Sequence, residues 1–203
     1  MTIHDEYNDI PRIQSKLRHN ILQMPVETYQ ASGIVINGRR IKTFVFTTDV
    51  AIIRNCDADA VFAVYPFTPQ QAISDAVIKA SYIPVFCGVG GGTTHGIRTV
   101  GLAKDVESQG AMGVILNSPI SNEILDLISQ SVDIPVIITI THKDTDIAAR
   151  LRAGASILNV AGGPGTLNSS LTSGKASLPY RSLLQAEKRV KTLRRPLRPE
   201  RMP

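Results

Sequence analysis

The chain has 203 residues, 43% of them apolar, enough to bury a proper core as one domain. No apolar run reaches 18 residues and no charged-then-apolar leader opens the chain, so neither a membrane span nor export is expected, and a cytoplasmic address follows. The net charge of +5 is uneven: residues 166 to 203 carry nine Lys or Arg against Glu187 and Glu200, leaving −2 on residues 1 to 165, so any attraction to nucleic acid would belong to the tail.

In chain order, a polar segment over residues 9 to 23 predicts a helix, and Asn37-Gly38 between apolar runs predicts a hairpin whose second arm continues into "TFVFTTD". Five more short β-rich runs follow: "AVFAVYPF", "IPVFCGVGGG", "MGVILNSP", "IPVIITITH" and "SILNVAGG". Between them stand helix-like segments, "PQQAISDAVIKAS", "GIRTVGLAKDVESQGA", "SNEILDLISQSV" and "DTDIAARLRAGA". Apolar runs alternating with helices imply parallel strands buried on both faces. Cys56 and Cys87 lie in apolar surroundings without metal-like spacing and read as buried free thiols.

The pattern repeats. "IPV" opens a strand at Ile83 and again at Ile134, and "QGAMGVILN" is echoed by "AGASILNV", so a pair of β/α units recurs after about 50 residues, as in a barrel of similar quarter-units. The expected fold is α/β, a (β/α)8 TIM-barrel-like arrangement that is incomplete, with about six β/α units and the last two strands lost. A doubly wound open sheet is the alternative that six strands also satisfy. The implied organisation is an N-terminal helix and hairpin cap (1–40), barrel units (41–165) and a basic tail (166–203).

The tail departs from this grammar, and a shifted reading frame accounts for it. With permitted codons, "LQAEKRVKTLRRPLRPERMP" can encode "SGGKTGEDLTATIAAGANA", preceded by "VPVIA", while "LNSSLTSGKASL" can become the amphipathic "FELIAHIRKSFLA". The result is a third copy of the repeat, due where strands seven and eight belong, with the shift beginning near Gly165 to Leu167. The competing reading is a genuine disordered basic extension, which would bind acidic partners such as nucleic acid through counterion release.

The stretches "KTFVFTTDVAIIRNCDADAVFAVYPFTPQQAIS", "IPVFCGVGGGTTHG", "MGVILNSP" and "AGASILNVAGG" resemble an uncharacterised bacterial aldolase-type TIM-barrel family whose members are often labelled hydrolases; the likeness covers residues 33 to about 164. The shifted "SGGKT…AGANA" is similar to the closing units of phosphate-binding barrels such as indole-glycerol-phosphate synthase, whose backbone N–H groups grip a phosphate after strand seven. In the chain as written that half of the site is absent, which puts its activity in doubt.

In a barrel, function collects where strands end. Asp49 closes the first barrel strand and suits proton transfer, or equally a helix N-cap. Tyr65 ends the second, where it could orient a ligand or pack beside Pro66. After the third, Gly90, Gly91 and Gly92 allow close backbone approach, and Thr93 and Thr94 add hydroxyls, a combination suited to an anion. The loop matches neither a dinucleotide fingerprint nor a Walker loop. Asn117 ends the fourth strand with a donor and an acceptor. After the fifth, His142 could act as a general acid or base, and Lys143 could neutralise a phosphate or form an imine. Asn159, Gly162 and Gly163 form the edge after the sixth. His95 with His142 and Asp49 has no recognised metal spacing, so neither a metal nor another cofactor is expected.

These residues point to an enzyme acting on a small anionic, phosphorylated metabolite, with hydrolase, lyase and isomerase chemistry all open. The alternative is a non-catalytic ligand-binding or nucleic-acid-associated protein using the tail. Unpaired barrel edges would also favour a homo-oligomer.

Overall fold

The computed structural model describes residues 21–142 and 144–161. Most of the helix expected over 9–23, and the whole of the tail 166–203, lie outside the described residues. Residues 21–23 are not helical: Leu22 makes an isolated parallel bridge with Cys56, its N–H donating to the Asn55 carbonyl at 2.8 Å.

The hairpin forms as expected. Strands β1 (Ile34–Ile36) and β2 (Arg39–Ile41) pair antiparallel, and Asn37 (φ 48°) and Gly38 (φ 79°) make the two-residue turn with both residues left-handed. Its second arm does not run on into the barrel, however. The Lys42 and Thr43 N–H groups both donate to Asp59 Oδ2, at 2.7 and 3.0 Å. This carboxylate breaks the strand at residues 42–43, so the hairpin is a separate two-stranded sheet.

Six parallel strands follow: β3 (Phe44–Phe46), β4 (Ala60–Ala63), β5 (Val85–Gly90), β6 (Gly113–Leu116), β7 (Val136–Ile140) and β8 (Ile157–Val160). They lie in one sheet in chain order, β3-β4-β5-β6-β7-β8. Helices α2 (Gln71–Ala80), α3 (Ile97–Ser108), α4 (Asn122–Ser131) and α5 (Ile147–Arg152) connect the last five; the single-turn α1 (Val50–Arg54) between β3 and β4 is marked in the sequence only by Asp49 as an N-cap. With period-2 alternation the strands send one set of side chains outward to the helices, where Val61, Cys87, Val114, Leu116 and Ile138 pack with Ile53, Val77, Val100, Leu125 and Ile128. The other set, Phe62, Phe86, Ile115 and Ile137, packs with Ile36 and Ile41 of the hairpin and includes no residue of these five helices. These five helices thus lie on one face. A doubly wound sheet would reverse its strand order and carry helices on both faces, so the fold is α/β, a curled, incomplete TIM-barrel-like sheet of six strands among the described residues.

The internal repeat has a backbone cause. Gly110 (φ 97°) and Gly154 (φ 96°) end α3 and α5 in the same way. Their N–H groups donate to Glu107 and Leu151, and those of Ala111 and Ala155 reach back to Val106 and Arg150. This is the paired bonding that stops a helix at a left-handed glycine and redirects the chain into a strand. Pro84 and Pro135 lack an N–H but accept from Val61 and Val114 at 2.8 and 3.0 Å, so each "IPV" enters the ladder by its carbonyl alone.

Both cysteines are free and buried. Burial behind α2 pushes the Cys87 thiol up from an ordinary 9.0 to about 12, against a smaller lowering by its hydrogen bond with Ser74. The folded protein therefore holds the proton that the unfolded chain releases above pH 9, and the resulting stability is full below pH 9 and lost as the pH rises towards 12. Over that window the loss amounts to roughly 4 kcal/mol, at about 1.4 kcal/mol per pH unit. Denaturant titrations of the protein and of Cys87→Ala from pH 8 to 11 should show a steeper alkaline decline for the parent chain. Equal slopes would contradict the assignment.

Candidate functional site

All six barrel strands run in the same direction, so their carboxyl ends share one rim. A cavity of about 330 Å³ opens there across β4, β5 and β6, lined by residues 64–69 of the β4–α2 loop, by Gly88, Gly90, Gly92, Thr93 and Thr94, and by Ile115 and Asn117.

The glycine loop is packed tightly. The Gly91 N–H donates to the Thr94 carbonyl at 2.7 Å, and the Asn117 N–H donates to the Gly90 carbonyl at 2.9 Å, so the turn after β5 is stitched to the end of β6. A Cβ on Gly90 (φ 123°) would lie 2.7 Å from the Thr94 carbonyl, and one on Gly91 (φ 100°) would lie 2.8 Å from the backbone of Asn117. These glycines therefore build the wall by allowing backbone contact within the protein. Gly96 (φ 65°) then turns the chain into α3, and Thr99 Oγ1 donates to the Thr94 carbonyl at 3.3 Å, closing the loop.

Polar atoms are left for a ligand. Among the described residues the Thr94 hydroxyl makes no side-chain hydrogen bond and is open to the cavity, and the same holds for the Thr93 hydroxyl and the Asn117 side-chain amide at the rim. Among the described residues no Lys, Arg, His, Asp or Glu lines the cavity. Tyr65 does, but its hydroxyl accepts the Gln70 N–H at 2.8 Å, which fixes the loop that bears it.

The cavity thus brings together Tyr65, Gly90, Gly92, Thr93 and Asn117, with Gly91 packed behind. Asp49 and His142 stay outside its lining, on the flanking units that end β3 and β7. Asp49 is the N-cap of α1, its Oδ1 accepting from the N–H groups of Ala51 and Ile52 at 2.7 and 3.3 Å. His142 is exposed, and its carbonyl accepts from the Thr145 hydroxyl at 2.8 Å. Asn159 faces inward beside Thr139 of β7 and donates to its hydroxyl at 3.3 Å; Thr139 is visible in the sequence only by counting two residues on from inward-facing Ile137. Lys143, Gly162 and Gly163 lie outside the described residues. His95 Nδ1 stands 3.0 Å from the Thr93 carbonyl, which can only accept, so that nitrogen carries the proton. Among the described residues no group of three or more His, Cys, Asp or Glu is placed to hold a metal.

Sequence reasoning also missed Arg150. This half-buried side chain of α5 reaches across to the β6–α4 loop and donates to the carbonyls of Ile120 (2.6 Å) and Ser118 (2.8 Å) and to Asn122 Oδ1 (3.0 Å). Ser118 follows Asn117 directly, so the next unit's helix holds the loop that presents Asn117. Among the described residues Arg150 has no carboxylate partner. Its charge is satisfied by carbonyl dipoles of the loop that follows Asn117.

No family model matches the chain, and no curated protein does. Solved structures do. The 2,3-dimethylmalate lyase of the PEP mutase/isocitrate lyase superfamily is 15% identical with a TM-score of 0.48, over 64% of this chain and 61% of that one. The 4-hydroxy-tetrahydrodipicolinate synthase of Methylacidiphilum fumariolicum SolV is 19% identical with a TM-score of 0.41, over 55% and 45%. A phosphonomutase-like protein of Burkholderia cenocepacia J2315 is 17% identical with a TM-score of 0.43, over 63% and 59%. The chain spans about half to three-fifths of the length of these structures.

Replacing Arg150 by Met should leave two loop carbonyls without their charged donor and cost about 2 kcal/mol, the usual worth of such bonds. Amide exchange should accelerate over residues 117–122 and in the glycine turn bonded to Asn117, while residues 85–89 of β5 are unaffected, and Arg150→Lys should restore part of the protection. Unchanged exchange in Arg150→Met would show that the guanidinium does not hold this loop.

Proposed function

We propose that the chain is a barrel enzyme acting on a small anionic, phosphorylated metabolite whose anion sits in the rim cavity against the Gly90–Thr94 turn. The observation that carries this reading is the set of open polar groups on the cavity lining, the hydroxyls of Thr93 and Thr94 and the Asn117 amide, with no acidic side chain lining it among the described residues. Neutral donors fixed in place can hold an anion without the cost of reorganising water around it.

Proton transfer falls to Asp49 and His142. Each stands at the end of a strand flanking the three that form the cavity, so a substrate anchored at Asn117 would extend along the rim towards either. Asp49 Oδ2 makes no cap bond and remains available; Lys143 is a further candidate from the same loop as His142. Hydrolysis is the reaction favoured by the resemblance of the strand-end motifs, and neither the cavity nor its flanking residues rank it above lyase or isomerase chemistry.

The test is calorimetric titration with orthophosphate and a panel of phosphorylated metabolites. Binding should weaken at least tenfold in Thr94→Val and in Asn117→Ala, with thermal stability little changed. Turnover of any ligand so found should fall in Asp49→Asn and His142→Gln while its binding persists. Failure of every phosphorylated compound to bind would end the proposal.

The shifted-frame reading of the tail belongs to the same proposal, because it would supply the two β/α units that a phosphate-binding barrel carries after its sixth strand. Sequencing the coding DNA across codons 160 to 203 should reveal a change of one or two bases that restores "VPVIASGGKT". An unaltered frame, with an intact mass matching the chain as written, would leave the basic tail as native sequence.

A further inference from the structure

The cavity has a second half that an anion does not use. Besides its polar residues, the lining includes Val64, Pro66, Phe67 and Pro69 of the β4–α2 loop, and Ile115 adds a further apolar surface. A volume of about 330 Å³ is far more than a tetraoxo anion fills and falls in the range of sites for whole small molecules, roughly 300–1,000 Å³.

Phe67 lines this half while remaining 74% exposed. The loop holds it there with little freedom: two prolines fix φ within six residues, and the Tyr65 hydroxyl accepts the Gln70 N–H across the loop at 2.8 Å. A flexible loop could fold a phenyl ring against the protein, but this one is braced with the ring at the mouth. Outside the cavity lining, the neighbouring strand carries a further exposed ring packed on buried ones. Phe46, at the carboxyl end of β3 and 62% exposed, stands edge-on to Phe62 at 4.8 Å between centroids, and Phe62 leads on to Phe86 at 5.7 Å. An aromatic ring left open in a cavity wall, as Phe67 is, presents a face and edges on which another planar ring gains contact.

We infer that the ligand of this site joins its anionic group to an aromatic body, the anion lying against Thr93, Thr94 and Asn117 and the ring against Phe67 and the Val64–Pro69 wall. The inference rests on the proposed anion site and names its substrate class: small aryl phosphates rather than sugar or aliphatic phosphates. The wall reads the ring by burying apolar area, and the polar groups read the charge by hydrogen bonds.

The probes are phenyl phosphate, methyl phosphate, orthophosphate and benzyl alcohol, titrated by calorimetry into the full chain and into Phe67→Ala and Phe67→Tyr. Phe67 is exposed, so its truncation leaves the core intact; matching melting curves verify this. Phenyl phosphate should bind at least tenfold more tightly than methyl phosphate. The ratio should fall below threefold in Phe67→Ala and recover in Phe67→Tyr, while orthophosphate affinity stays constant. Equal affinities for the two esters, or a ratio indifferent to Phe67→Ala, would overturn the aromatic assignment and leave the anion site standing. Binding of benzyl alcohol that depends on Phe67, with no binding of any phosphate, would uphold the ring contact and refute the anion site instead.

Discussion

The rest of the structure depends on a constraint of connection: six parallel strands joined in chain order, with every connecting helix on the same face. Right-handed crossovers between consecutive neighbours leave the opposite face without helices, and such a sheet must curl towards itself to shelter the apolar side chains there. At the amino end of that face the shelter is the β1–β2 hairpin, whose Ile36 and Ile41 join Phe62, Phe86 and Ile137. At the carboxyl end the strands run out into loops, and there a ligand can enter. The asymmetry between a plugged floor and an open rim follows from the order of the strands.

Much of this was legible because it is written in local chemistry. Asn37-Gly38 specifies a turn that needs two left-handed residues, and the repeated "QGA" and "AGA" mark helices stopped at a left-handed glycine, so hairpin and repeat could be read residue by residue. The end of the hairpin could not, since the chain is broken at residues 42–43 by the Asp59 carboxylate, a partner 16 or 17 positions away. The topology was equally silent in the sequence, because six alternating units suit an open or a curled sheet until the strand order is known.

The candidate site divides in the same way. Gly90 to Thr93 announced a loop made for close approach, and the close approach is real, but much of it serves contact with Asn117 and Thr94 inside the protein. Asp49 was legible both as a strand-end carboxylate and as a cap, and it makes the cap bonds without losing its second oxygen. Arg150 gave no signal: in an amphipathic helical segment an arginine is ordinarily a solvated charge, and its role appears only when α5 lies against the loop after β6. Phe67 was equally unmarked, because exposure at a loop tip is a property of the folded chain.

Three consecutive units meet at the cavity, and a fourth controls one of them. The β4 unit contributes the braced aromatic wall, β5 the glycine turn, β6 the Asn117 amide, and α5, which follows β7, the guanidinium that holds the β6 loop. Because the Asn117 N–H is also bonded to Gly90, a shift of the β6 loop cannot occur without disturbing the glycine turn. Arg150 thus binds one residue away from the Asn117–Gly90 bond that joins the two polar walls, and it stands on the helix that directly follows the loop carrying His142. A substrate seated by Asn117 and worked on by His142 would feel the same helix through both residues: at its amino end through the loop that bears the imidazole, and in its middle through the arginine that places the amide.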